Sequence, residues 1–137
     1  MTAAVADRPT PIREGDELSP DVFGGVKIFG GTMVQKNATG YAVPASATIA
    51  NKTLGIAKHS SDNLAGASGD IKCRVLRNRI GVFANSTSGD LITIADIFND
   101  CYVVDDQTVA KTNNAGARPV AGKIMDVDSL GVHVLFV

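Results

Sequence analysis

Short apolar runs alternate with turn-forming residues along most of the chain. Residues 26–29, for example, stand between two glycine pairs, and residues 41–43 are stopped by Pro44. Brief segments rich in β-branched residues, separated by Gly, Asn, Asp and Pro, are typical of β-sandwiches and β-barrels. We therefore predict a mainly β domain, a small β-barrel or β-sandwich, over residues 26–137.

Three β-hairpins are predicted from pairs of apolar runs that flank short polar turns. The predicted pairs are residues 71–76 with 79–84, 102–104 with 108–110, and 120–127 with 132–137. The turns contain Asp, Asn, Gln, Ser or Gly, and most of these residue types accept the backbone angles of tight turns. The last third of the chain shows the clearest pattern.

One short helix is predicted within this β-rich pattern. Thr93 can cap the first free amides of a helix, while Asp96 can reach back to the Thr93 backbone. A helix of about two turns, from Thr93 to Phe98, is too short to be stable by itself, so packing must hold it.

Residues 1–25 differ from the rest of the chain. They contain Pro9, Pro11 and Pro20 and few periodic apolar positions. Because proline fixes φ and lacks an amide donor, this segment cannot be a central strand or a long helix. We predict an extended N-terminal arm that wraps the domain or contacts a neighbour. A disordered terminus is the alternative.

The last strand has apolar residues on both faces. Val134 lies on one face, and His133 and Leu135 lie on the other, because side chains alternate along a strand. Such a strand is typical of burial in a barrel or beneath another subunit. The predicted contact residues are Ile12, Leu18, Val22 and Phe23 in the arm, with His133 and Leu135 in the last strand.

A faint internal repeat is visible at an offset of 67 residues. It aligns residues 33–35 with 100–102 and residues 54–57 with 121–124. The aligned segments follow the same order of predicted strands and turns, but they share too few identical residues to establish a duplication.

The charge pattern excludes several classes of partner. The chain has 13 basic and 14 acidic residues, a net charge of −1, and no basic block. Nucleic-acid-binding domains and polybasic membrane anchors need such a block. No apolar run has the length of a membrane span, and the first residues lack the apolar core of a signal peptide. We expect no direct nucleic-acid or membrane partner, and synthesis in a cytoplasm.

No catalytic constellation is evident. The two histidines, His59 and His133, lie in no motif that places a nucleophile beside a base. Residues 126–131 resemble part of a calcium loop, but Leu130 and Val137 stand where oxygen ligands are needed, so a hairpin turn is the better interpretation. Two cysteines are too few for a disulfide framework or a metal site, and we interpret both as buried, reduced thiols. We therefore predict that the protein is not an enzyme and needs no cofactor or metal.

The C-terminal half resembles a known family. The segments IADI at residues 94–97, CYVVDDQTVA at 101–110, and AGKIMDVD at 121–128 are similar to a region common among bacteriophage head decoration, or capsid cement, proteins. A short LGIA element at 54–57 also fits. The similarity covers a third to a half of the chain and carries no catalytic motif.

The resemblance implies a virion structural protein that binds the outside of the expanded phage head and stabilises it. The implied partner is the major capsid protein, and the implied assembly is a homo-oligomer, most often a trimer. The six contact residues would then face the capsid or a neighbouring subunit. Two alternatives remain open: a tail, adaptor or fibre-base β-barrel component, and a carbohydrate-binding module, which normally needs exposed aromatic rings.

Overall fold

The computed structural model describes residues 2–137, and this part of the chain is mainly β, as predicted. Its strands are β1 (Glu17–Leu18), β2 (Lys27–Ile28), β3 (Met33–Lys36), β4 (Ala42–Pro44), β5 (Lys52–Ala57), β6 (Ser61–Asp62), β7 (Val75–Leu76), β8 (Arg79–Phe83), β9 (Asp100–Val103), β10 (Val109–Ala110), β11 (Val120–Asp128) and β12 (Gly131–Phe136). Two 3-10 turns, Ser88–Asp90 and Ile94–Asp96, are the helical elements of the described residues.

Ten of the strands form two antiparallel five-stranded sheets. One sheet has the order β1-β7-β5-β3-β4 and the other β8-β12-β11-β9-β10, while β2 and β6 pair separately. Both sheets curl, because Val22 bridges to Ala42 of β4 and Ala84 bridges to Thr108, next to β10. A single bridge does not close a barrel. Of the two architectures predicted, the fold is therefore consistent with the β-sandwich and not with the closed β-barrel.

The two sheets are structural repeats of each other. In each, the five strands occupy the same positions in the same chain order. The register also repeats, since Val34 pairs with Gly55 and, 67 residues later, Cys101 pairs with Gly122. The offset noticed in the sequence is therefore present in the fold. We call residues 17–76 the first half and residues 79–136 the second half.

Each half has its own hydrophobic core. The first core contains Val34, Ala42 and Ala57, and the second contains their equivalents Cys101, Val109 and Ile124. Met33 and Ala45 belong to the first half but pack into the second core. The halves therefore share apolar surface, which joins them into one folded unit.

The predicted arm ends earlier than expected. Residues 17 and 18 form β1 at the edge of a sheet, and Val22 is fully buried in the first core. Pro20 is compatible with this position because it contributes only an acceptor: its carbonyl oxygen receives the Cys73 amide at 3.0 Å. The arm thus covers residues 2–16, and Met1, its first predicted residue, lies outside the described residues.

The predicted hairpin around residues 77 and 78 is wrong, whereas the two C-terminal hairpins are confirmed. β7 pairs with β1 and β5, and β8 pairs with β12, so the chain crosses between the sheets at this point. Consecutive backbone amides are held by distant segments: Arg77 donates to the carbonyl oxygen of Asp16, which precedes β1, and Asn78 donates to that of Phe136 in β12. Tertiary hydrogen bonds replaced the local turn.

The predicted helix is shorter than expected. The Asp96 carboxylate does accept the Thr93 amide, at 2.8 Å, as the capping pattern indicated. The helical segment nevertheless ends after one 3-10 turn, because the Phe98 amide donates to the carbonyl oxygen of Ile124 on β11. Pairing with the sheet therefore outcompetes a second helical turn.

Candidate interaction surfaces

The N-terminal arm projects apolar side chains into solvent. Val5 is 100% exposed and Ile12 is 91% exposed. The arm leaves the body at Asp16, whose carbonyl oxygen accepts the Arg77 amide and whose carboxylate accepts the Asn78 side-chain amide, both at 2.7 Å. Residues 2–16, if extended, reach about 50 Å from this anchor. Such a segment can contact a neighbouring molecule without moving the body.

Two of the predicted contact residues have other roles. Val22 is fully buried, so it cannot contact a partner, and Leu18 packs against the first core. Both residues lie where β1 and the following bridge join the sheet, and the sequence did not show this pairing. Phe23 remains partly exposed, with its ring centroid 6.2 Å from that of Tyr41.

The two predicted residues of the last strand lie together on a partly exposed sheet face. Leu135 pairs with Ile80 and His133 pairs with Val82, so these four side chains share one face of β8 and β12. Ile80 and Val82 are exposed. We call the apolar residues of this face, Ile80 and Val82 of β8 together with Leu135 of β12, the β8 strip. The alternation of Ile80 and Val82 was visible in the sequence, but their pairing with β12 was not.

A carboxylate–imidazole cluster lies at the turn between β11 and β12. His133 Nε2 is 2.9 Å from Asp128 Oδ2, and a bulge in β11 brings Asp126 opposite His133. One ligand atom from each of these three residues lies within 4.8 Å of the others, so they are the described residues best placed to hold a cation. Spacing along the chain did not reveal His133 as a member of this cluster.

The same cluster also has a structural role. The Leu130 amide donates to the Asp128 carboxylate at 2.9 Å, and this bond, with His133, holds the pKa of Asp128 below its usual range. An acceptor that ties the turn to the opposite strand is what a hairpin needs. The absence of a bound metal remains a prediction from the sequence.

No family model, curated protein or solved structure matches this chain. The helical elements among residues 2–137 are single 3-10 turns, and none of them could span a bilayer.

The side chains most able to do nucleophilic chemistry are separated or buried. His59 is exposed and its Nδ1 lies 3.1 Å from the Ser60 carbonyl oxygen. Burial raises the pKa of the Cys73 thiol to about 11 and that of the Cys101 thiol to about 12. Thiols in such surroundings are poor nucleophiles at neutral pH.

Proposed function

We propose that this protein is a virion structural protein that binds the outer surface of a phage capsid and stabilises the expanded head. The observation that carries the proposal is the exposed arm, residues 2–16, which projects from a compact β body. The resemblance of residues 94–128 to head decoration proteins supports it independently. A β scaffold with a projecting arm is suited to bridging neighbouring capsid subunits.

The arm gains most by ordering against another surface. Val5 and Ile12 are apolar yet almost fully exposed, and burial of such side chains is favourable by about 1.5–3 kcal/mol each. Pro9 and Pro11 restrict the backbone before binding, which lowers the entropy lost when the arm becomes ordered. The major capsid protein is the partner proposed for this segment.

Self-association is the second part of the proposal, with a trimer favoured. The β8 strip exposes apolar side chains on a sheet face, and β8 lies at the edge of its sheet. Exposed apolar strands at a sheet edge commonly mark interfaces. A homo-oligomer that covers the β8 strip would leave the arms free to contact the capsid.

A truncation that ends before Asp16 tests the role of the arm. Asp16 must be retained because it accepts hydrogen bonds from the backbone amide of Arg77 and the side-chain amide of Asn78. Full-length protein and a variant lacking residues 2–15 are mixed with expanded heads that lack the protein, and bound protein is measured by co-sedimentation. The truncated form should fold normally and bind at least about tenfold more weakly.

Substitutions within the arm separate apolar contact from mere length. The double variant Val5→Ser with Ile12→Ser should weaken co-sedimentation nearly as much as the truncation. The matched control, Ala4→Ser with Thr10→Ser, changes the same segment but removes no large apolar side chain. Equal binding by full-length and truncated protein would show that the arm does not attach the protein to heads.

A further inference from the structure

Phe98 has a backbone conformation that is unfavourable for its residue type. Its φ is +71°, in the left-handed region that bulky side chains rarely adopt. The equivalent residue in the first half is Gly31, with φ +82°. Glycine adopts this conformation without steric cost, whereas a residue with a Cβ does not.

The fold itself requires the left-handed conformation at this position. The Gly31 amide donates to the Ala57 carbonyl at 2.8 Å, and the Phe98 amide donates to the Ile124 carbonyl at 2.7 Å. Ala57 and Ile124 are equivalent residues of the two halves. Each half therefore uses the same hydrogen bond to turn the chain onto its sheet, and glycine is the residue that suits the turn.

Packing does not explain the phenylalanine either. The Phe98 side chain is 67% exposed, so burial of its ring contributes little to folding. An exposed aromatic ring on a backbone in the left-handed region therefore gives the fold no packing benefit that offsets the strain. Strain of this kind is concentrated at functional sites, where a binding or catalytic role maintains it.

A polar groove of about 460 Å³ lies beside the Phe98 ring, within the size range of ligand-binding clefts. Lys111 Nζ lies 3.5 Å from Asp96 Oδ1, and Lys123 Nζ lies 3.5 Å from Asp100 Oδ1. Tyr102 also lines the groove. These two ion pairs provide hydrogen-bond donors and acceptors while their charges cancel.

The groove is specific to the second half. The first-half equivalents of Asp100 and Lys123 are Met33 and Ile56, which pair in the same register but pack into the second core. Phe98 in turn replaces Gly31. The charged pair and the exposed ring thus occur together at one end of the second half, and the first half forms the same turn and pairing without them.

We propose that this groove binds a neutral saccharide, with a sugar ring stacked on Phe98. A sugar ring presents an apolar C–H face that packs on an aromatic ring and hydroxyl groups that both donate and accept hydrogen bonds. The charge-balanced lysine and aspartate side chains match those hydroxyls. A nucleotide or an acidic peptide would instead call for a net positive groove. This inference does not depend on capsid binding.

The test uses full-length protein and four neutral trisaccharides: cellotriose, maltotriose, mannotriose and triacetylchitotriose. Each is titrated to about 10 mM, because weak saccharide sites bind in the millimolar range, and amide shifts are followed by NMR. At least one trisaccharide should shift resonances of residues 96–102, 111 and 123. No such shift with any of the four would overturn the proposal.

Phe98→Gly is the decisive variant, since Gly31 shows that glycine suits the turn. It should unfold at the same or higher urea concentration than the parent, yet bind the trisaccharide at least about tenfold more weakly. Phe98→Trp should retain binding, and Gly31→Phe, the mirror control, should lower stability without creating a site. Undiminished binding by Phe98→Gly would overturn the proposal. A second pair of results would also overturn it: the parent binds no saccharide, and Phe98→Gly no longer co-sediments with capsids. Phe98 would then be an anchor for a protein partner.

Discussion

Thr53 and Val120 occupy equivalent positions in the two halves and contact each other, since the Thr53 hydroxyl donates a 2.7 Å hydrogen bond to the Val120 carbonyl oxygen. Thr53 pairs with Gln35 within its sheet, and Val120 pairs with Tyr102, which is the equivalent register. The middle strands β5 and β11 therefore meet at corresponding residues. This bond links the sheets directly, in addition to the apolar surface that they share.

Removal of the Thr53 hydroxyl should weaken the link between the halves. Thr53→Val keeps the shape of the side chain but leaves the Val120 carbonyl without this donor, and the free energy of unfolding should fall by about 1 kcal/mol. Urea unfolding measures the change. Thr10→Val in the exposed arm is the control and should have little effect. Equal stability of the Thr53→Val variant and the parent would show that the bond contributes nothing.

Two equivalent glycines should resist substitution. A Cβ on Gly55 would collide with the carbonyl oxygen of Leu76, and a Cβ on Gly122 would collide with that of Leu135. Gly55→Ala and Gly122→Ala should each lower the free energy of unfolding by about 1–3 kcal/mol, because the backbone of the neighbouring strand must move. Gly89→Ala, where a Cβ meets no atom within 4 Å, is the matched control. A cost no larger than that of the control would contradict the close approach.

Local sequence signals predicted those parts of the fold that depend on local interactions. The C-terminal hairpins formed because their turns are closed by nearby side chains, such as the Asp105 carboxylate that accepts the Gln107 amide at 2.9 Å. The hairpin around Asn78 failed because its amide is held by Phe136, far along the chain. Long-range pairing of this kind leaves no periodic trace in a single sequence.

The candidate sites were predicted less completely than the fold. The proline content of residues 1–25 predicted an extended arm, in which Ile12 is exposed. Alternation along the last strand predicted that His133 and Leu135 share a face. Burial of Val22 did not, because it depends on a bridge to Ala42. The importance of Phe98 was also hidden, since its left-handed φ arises only when β11 pairs with the turn. Its alignment with Gly31 becomes informative once the repeat is known.

The two thiols should be unreactive in the folded protein. Burial raises the pKa of Cys73 to about 11 and that of Cys101 to about 12. At pH 8, about one Cys73 thiol in a thousand is therefore ionised, and the ionised fraction of Cys101 is smaller. Reaction with Ellman's reagent at this pH should be at least about a hundredfold slower in native buffer than in denaturing urea. Rapid modification of one thiol in native buffer would instead identify it as accessible.

Stability should decline in acid, in part through Asp90. The Thr112 hydroxyl and the Arg118 guanidinium both donate to this carboxylate and hold its pKa below the usual range. Because the folded pKa lies below the unfolded value, the stabilisation is present above about pH 4 and is lost as the pH falls through the folded pKa. The pKa of Asp106 is instead raised by burial, so the contribution of this residue to folding becomes more favourable as the pH falls.

Substitution of Asp90 separates its contribution from that of other carboxylates. Asp90→Asn should unfold at a lower urea concentration than the parent at pH 7, and the difference should narrow in a second measurement at a pH below the folded pKa of Asp90, where the parent is also protonated. Asp7→Asn, in the exposed arm, should change neither value. A difference that is the same at both pH values would mean that the charge of Asp90 is not responsible.

Self-association through the β8 strip can be tested with two isoleucines of nearly equal exposure. Ile80 is 54% exposed on the β8 strip, and Ile49 is 56% exposed in the first half, outside that strip. If the strip is an interface, Ile80→Glu places a charge where a second subunit excludes water, whereas Ile49→Glu leaves the interface intact. Light scattering should therefore give an oligomeric mass, with a trimer favoured, for the parent and for Ile49→Glu, and a monomeric mass for Ile80→Glu.

A monomeric parent would refute self-association in solution, and an oligomeric Ile80→Glu variant would place the interface elsewhere. Because both variants replace a similarly exposed isoleucine by the same acid, a difference between them reflects position and not the loss of one apolar side chain.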